Sequence, residues 1–91
     1  MNITVWKTPL KIDHLQTIEV PEGAEFLCAA AQDGTPTLWY TCNPAHKREF
    51  RTIMMVGTGH VMMDEGKYIG TVFLNNGTLV FHIFEVPKEE E

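Results

Sequence analysis

Apolar and polar residues alternate with a period of two through most of the chain, the spacing that turns every second side chain to one face of a half-buried strand. Ile3-Thr4-Val5-Trp6-Lys7 shows it first, and Pro9 limits how far a central strand could run. Residues 15–20 alternate less cleanly and stop at the turn tripeptide Pro21-Glu22-Gly23. The alanines of EFLCAAAQ, residues 25–32, would suit a helix. That segment, however, is closed by Asp33-Gly34 and followed by the strand-like residues 36–42, so it reads as a hairpin whose turn takes positive φ from Asp-Gly. A polar connection leads to residues 49–56, another strand. Beyond Gly57-Thr58-Gly59-His60 and the turn-like Asp64-Glu65-Gly66, residues 67–74 and 78–84 are rich in β-branched and aromatic side chains. Asn75-Asn76-Gly77 joins them, the strongest hairpin signal in the chain.

No segment carries a convincing helical period, and there is no internal repeat. The expectation is an all-β protein: a small sandwich or barrel of about six to seven antiparallel strands with little helix. Residues 1–85 form a single β domain in this reading, and residues 86–91 an acidic, frayed tail. A chain of 91 residues buries a smaller share of its surface than a mid-sized enzyme does. One sheet face is therefore expected to need a partner subunit, which predicts a homo-oligomer.

Net charge is −5, but Glu85, Glu89, Glu90 and Glu91 fall in the last seven residues together with Lys88; the remaining body has six basic and eight acidic groups, or −2. Such a body lacks the basic face that grips duplex nucleic acid by displacing counterions. An anionic ligand would need a local pocket. Lys47, Arg48 and Arg51 do cluster before the glycine loop, either as a solvated hairpin end or as part of such a pocket. No apolar run reaches the roughly 20 residues that span a bilayer, and no signal peptide is apparent, so no membrane partner and a cytoplasmic location are expected. Cys28 and Cys42 do not make a disulfide framework. They are expected to be reduced, buried small hydrophobes, facing each other if the Gly34 turn is a three-residue loop.

The glycine loop is the first candidate for chemistry. Gly57 and Gly59 flank Thr58, so successive backbone N–H groups can turn to one side, with the Thr58 hydroxyl and the His60 imidazole beside them. Those are the parts of an anion nest. Phosphate loops place their glycines between a strand and a helix, with a Gly-Lys-Ser/Thr ending or a third glycine, and neither ending is present. A structural turn and a ligand contact both remain open. His60 is a better functional candidate than His82, which sits in the aromatic strand Phe81-His82-Ile83-Phe84 and reads as a satisfied interior or interface residue.

Cys42, His46, His60 and Asp64 lack the spacing of a structural metal site, because a four-residue step along a strand separates ligands by roughly 13 Å. No metal or cofactor is expected, and no cysteine nucleophile is recognisable. Alternation puts Trp39 on one face and Tyr40 on the other, so one of them leaves the main core, either to pack against a partner or to stack a base. Arg51 could meet a phosphate bidentately. Taken together, an aromatic ring, an arginine and a glycine nest describe a nucleotide pocket, with Trp39, Tyr40, Arg51, Gly57, Thr58, Gly59 and His60 as its candidate residues. Met54, Met55, Met62 and Met63 read either as core packing or as an adaptable surface.

Pro21-Glu22-Gly23-Ala24, Asp33-Gly34 with Leu38-Trp39, Val56-Gly57-Thr58-Gly59-His60, Tyr68-Ile69-Gly70-Thr71 and Leu79-Val80-Phe81-His82-Ile83-Phe84-Glu85 occur in an order that resembles a family of small phage-encoded proteins of unknown function. Val61-Met62-Met63 departs from it where a proline is frequent, as does Asn76-Gly77 where two glycines are. Small β-rich phage proteins of this size are similar to sponge proteins that oppose bacterial immunity, including an anti-CBASS group that assembles as oligomers. The resemblance implies a non-enzymatic, oligomeric sponge in the host cytoplasm that sequesters a cyclic nucleotide signal without cleaving it. The alternative is a protein-interaction module that inhibits a host protein or joins a phage assembly. A small hydrolase that cleaves the signal is a third reading, though no acid–base pair is recognisable.

Overall fold

A computed structural model describes residues 2–88. The tail expected over 86–91 therefore lies partly outside the described residues. Its described part is tied down: the last strand includes Val86, and the Lys88 ammonium bonds to Glu49 Oε1 at 2.9 Å.

Seven strands follow in order: β1 (Thr4–Pro9), β2 (Leu15–Pro21), β3 (Glu25–Gln32), β4 (Thr35–Cys42), β5 (Arg48–Gly57), β6 (Lys67–Leu74) and β7 (Leu79–Val86). They form a three-stranded sheet ordered β1-β4-β3 and a four-stranded sheet ordered β2-β5-β7-β6, every pairing antiparallel. The expected all-β sandwich is what forms. Among the described residues no helix is long and apolar enough to cross a membrane.

Alternation sets the core. Leu38, Tyr40 and Cys42 point inward from β4, and Ile53 and Met55 from β5. They meet Val20, Val72 and Ile83 between the sheets, each of these three fully buried. Burying one such side chain contributes about 1.5–3 kcal/mol. Trp39, one register step from Leu38 and Tyr40, faces outward and is half-buried.

EFLCAAAQ is a strand, and its alanines have a tertiary reason. Gly70 on β6 presses so close to β3 that a Cβ there would stand 2.7 Å from the Ala29 amide nitrogen and 2.9 Å from its carbonyl oxygen. Small residues on both strands let β3 and β6 close one side of the sandwich. Helix propensity loses to that seam and to the hairpin turn, where Asp33 and Gly34 take φ of 50° and 77°. Gln32 pairs with Thr35, so the turn has two residues rather than three. Cys28 therefore lies opposite Trp39, not Cys42. The expectation that both cysteines are buried also fails for Cys28, which the register turns to the outer face, exposed; Cys42 is buried. The β6–β7 hairpin closes through a left-handed turn in which Asn75, Asn76 and Gly77 all have positive φ.

The connection between β5 and β6 folds back over the outer face of the four-stranded sheet. A Cβ on Gly66 would lie 2.6 Å from Phe84 Cβ and 3.1 Å from Met54 Cε. This separates the methionine pairs: Met54 and Met55 are buried, whereas Met62 and Met63 are exposed.

Candidate functional site

Arg51 stands on the inner side of β5, in register with Ile18 of β2 and two positions before Ile53. An ionised side chain turned into a sandwich needs partners, because desolvation without pairing is costly. Glu85 of β7 supplies a two-pronged pair, Nε to Oε2 and Nη2 to Oε1, the second at 2.9 Å. Nη1 donates to the Ala24 carbonyl at 2.9 Å and reaches Glu49 Oε2 at 3.4 Å. The guanidinium also lies 4.7 Å from the centre of the Phe26 ring. Hydrogen bonding to Glu85 raises the arginine's pKa, with burial opposing it.

Glu49 is held below the usual carboxylate range, first by the hydrogen bond from Lys88, then by the Gly23 N–H, with burial opposing. Around this network opens a cleft of about 370 Å³ whose walls include Phe26, Arg51, Lys67, Tyr68 and Glu85. Its size falls within the range of small-molecule sites, about 300–1,000 Å³. Lys67 has no carboxylate within salt-bridge distance among the described residues.

The glycine loop lies at the far end of the same strand. Six residues of extended chain put Gly57 roughly 20 Å from Arg51. Gly57 to His60 is a β-turn closed by the His60 N–H donating to the Gly57 carbonyl at 3.0 Å. Gly59, with φ of 87°, supplies the positive value that the third position of a type II turn needs. The His60 N–H is consumed in that closure and is not free for an anion. The His60 ring folds back on Gly57, where a Cβ would meet Nδ1 at 3.0 Å.

Beside the turn runs a chain of polar contacts across the outer face. Thr58 Oγ1 lies 2.7 Å from His82 Nε2, His82 Nδ1 lies 3.1 Å from Thr71 Oγ1, and Thr71 Oγ1 lies 2.7 Å from the Tyr68 hydroxyl. A cleft of about 450 Å³ lies next to the turn, with Thr58, His60, Thr78 and Phe81 in its wall. Hydroxyls and imidazoles there can donate or accept, but no lysine or arginine lines it. Among the described residues no three His, Cys, Asp or Glu side chains gather into a possible metal site.

The family comparison matches residues 1–91 to a domain of unknown function, DUF7352. The chain belongs to that family. No curated protein and no solved structure matches it.

A single chain does not gather the seven sequence-predicted residues into one pocket. Trp39 lies on the outside of the three-stranded sheet. Tyr40 is buried, edge-on to Phe26 with ring centres 6.1 Å apart, and has no face to offer a base. Gly57, Thr58, Gly59 and His60 stay together in the turn, away from Arg51. The basic cluster also disperses: Lys47 pairs with Glu22 at 3.5 Å, Arg48 lies 5.5 Å from the centre of the Trp6 ring, and Arg51 is internal. The thiol of Cys42 is pushed up by burial.

Sequence reasoning passed over Phe26, Lys67, Tyr68 and Glu85 at the mouth and Thr71 beside the turn; it read His82 as a satisfied residue, and both ring nitrogens of His82 have hydroxyl partners. One signal was available. Arg51 shares the parity of Ile53 and Met55, and Glu85 that of Ile83, so both were due to face inward and to need each other.

Proposed function

We propose that this protein is a binding module without turnover, which holds a nucleotide-type ligand in the cleft at the Arg51 mouth. The observation that carries the reading is the gathering of Phe26, Tyr68, Lys67 and the fixed Arg51 around one opening of about 370 Å³. Tyr68 is 57% exposed, its ring edge-on to Phe84 with centres 5.7 Å apart, and in this reading its open face stacks a base while Lys67, in the wall of the same cleft, meets a phosphate. Arg51 acts here as a fixed wall, its charge balanced by Glu85 and Glu49, rather than as the phosphate ligand. In its full form the reading is that of a phage-encoded sponge, which sequesters a cyclic nucleotide signal of host defence in the host cytoplasm.

Calorimetric titration with a panel of cyclic mono- and dinucleotides tests it. Binding of at least one member is expected, weakened about tenfold or more by Tyr68→Ala, since stacking contributes about 1–3 kcal/mol per base. Lys67→Glu should weaken it too without shifting the melting curve, whereas Tyr68→Ala also gives up the contacts of its ring with Phe84 and of its hydroxyl with Thr71 and should lower the melting point slightly. Failure to bind any member, or binding indifferent to both substitutions, overturns the reading.

A second reading, a protein-interaction module that inhibits a host protein or joins a phage assembly, is favoured by exposed apolar side chains on the outer face of the four-stranded sheet. Phe50 is 63% and Phe73 61% exposed, and Val61 and Met63 of the loop across that face are 76% and 72% exposed. Phe50 and Phe73 stand at opposite ends of that face, with the polar chain from Thr58 to Tyr68 between them, and exposed aromatic side chains are enriched where proteins meet. Recovery of one stoichiometric host protein, lost with Phe73→Ser, would favour it.

A further inference from the structure

Thr58 and His82, 24 residues apart in the chain, stand to each other as a nucleophile stands to its base: the hydroxyl lies 2.7 Å from Nε2, within the reach that proton abstraction needs. On the other side of the ring, Nδ1 lies 3.1 Å from Thr71 Oγ1, which lies 2.7 Å from the Tyr68 hydroxyl. When Nδ1 carries the imidazole proton and donates it to Thr71, the Thr71 hydroxyl donates to Tyr68, and Nε2 is left to accept from Thr58. Thr58 itself is exposed at the corner of the turn. Among the described residues the N–H of the next residue, Gly59, donates to no backbone carbonyl, and nothing stands within 4 Å of where a Gly59 Cβ would be. A carbonyl group can therefore approach this corner and meet a free N–H, the place that the residue after the nucleophile takes in acyl-transfer sites. The adjoining cleft of about 450 Å³ is walled by Leu79, Val80 and Phe81 and by no lysine or arginine, which suits an uncharged acyl group.

We propose that Thr58 is an acyl acceptor, which takes the acyl group of an activated carboxylic ester with His82 as its general base. Thr58 Oγ1 forms the new C–O bond while its proton moves to Nε2, and the oxyanion of the tetrahedral intermediate faces the Gly59 N–H. Collapse breaks the old ester bond, and the leaving oxygen takes the proton back from Nε2. The products are acyl-Thr58 and the free alcohol, with nothing oxidised or reduced. Thr71 is a positioning residue that holds the ring in the tautomer this step requires. A hydroxyl stabilises the imidazolium less than the carboxylate of a Ser-His-Asp triad does, so a slow single acylation is expected rather than rapid turnover. The reacting atom lies at the Gly57 end of β5, roughly 20 Å from Arg51, and does not act on a ligand held at the mouth.

Incubation of the full chain with p-nitrophenyl butyrate tests the proposal, followed by p-nitrophenolate release and by peptide mass mapping. Thr58 should gain a butyryl group as p-nitrophenolate is released. Thr58→Val should abolish that modification, and Thr58→Ser should keep it. His82→Gln should slow acylation of Thr58 about a hundredfold, the low end of what a general base contributes. Thr71→Val should slow it severalfold, with Thr71→Ser restoring the rate. In the parent protein, butyryl groups found on lysines or the N-terminus with Thr58 unmodified overturn the proposal without any substitution. Thr58 acylated as fast in His82→Gln as in the parent overturns it equally.

Discussion

The two ends of β5 carry the same kind of sequence signal and use it in opposite ways. At the Arg51 end, the guanidinium is bound by Glu85, Ala24 and Glu49, and its side chain is only 16% exposed. At the Gly57 end, the Thr58 and Thr71 hydroxyls hold the half-buried His82 ring beside a tight turn that closes through the His60 N–H. Arginine near the start of a strand and glycines near its end both suggest anion binding when read along the chain. In the fold the arginine first satisfies the carboxylates beside it, and the turn first satisfies itself. A charged residue of core parity belongs to the fold before it is available to a ligand.

Removing Arg51 is the strongest way to break this contrast. Arg51→Ala leaves Glu85 turned toward the sandwich interior without its cation and Glu49 with Lys88 alone, and the loss of one partner of a buried pair costs about 3–5 kcal/mol. The low end, about 3 kcal/mol, is expected because both carboxylates keep some access to water, with side chains 18% and 19% exposed. Urea unfolding should show the midpoint falling with an unchanged slope. Arg51→Lys should recover only part of the loss, since an ammonium cannot reproduce the two-pronged contact with Glu85. A midpoint unmoved by Arg51→Ala would show that the network is dispensable and return Arg51 to the role of a free ligand.

Glu49 sharpens the contrast through pH. Its folded-state pKa is lowered, chiefly by the Lys88 hydrogen bond. A carboxylate lowered in the folded state contributes stability above its unfolded pKa, and that contribution disappears as pH falls through the folded value. Glu49→Gln should therefore cost about 1 kcal/mol at neutral pH, near the lower end for charge-assisted bonds because Lys88 is well solvated. The difference from the parent should shrink as pH drops below the ordinary carboxylate range. A difference that stays constant down to strongly acid pH would mean that the charge of Glu49 contributes nothing.

Local chemistry made most of the fold legible in the sequence. Alternation gave the strands, Asp33-Gly34 gave a hairpin, and the opposed faces of Trp39 and Tyr40 followed from a period of two. What stayed hidden was set by neighbours distant in sequence. The contact of Ala29 with Gly70 joins two sheets and leaves no periodic trace. The shift between Phe26 and Cys28 moves register by one residue, which no composition reveals. The candidate site suffered most, because a pocket depends on which strands become neighbours. The order β2-β5-β7-β6 brings Glu85 to Arg51 and His82 to Thr58, and neither pairing is visible from spacing along the chain.

The gentlest test lies at the turn. Both ring nitrogens of His82 are held by hydroxyls, Thr58 on Nε2 and Thr71 on Nδ1. A neutral imidazole has one donor and one acceptor nitrogen, and a hydroxyl can answer either, so Thr58 fastens the turn to β7 whichever tautomer is present. Thr58→Val keeps the shape and removes that link. The site is exposed, so the stability cost should be small, about 0.5 kcal/mol. The local effect should be larger than the global one: amide exchange at Gly59 and His60 should quicken severalfold, because opening the turn no longer breaks the contact with His82. Thr58→Ser should restore slow exchange. If exchange is the same in all three proteins, the turn is fixed by its own Gly57–His60 hydrogen bond, and the chain of hydroxyls that ends at Tyr68 has no hold on the loop.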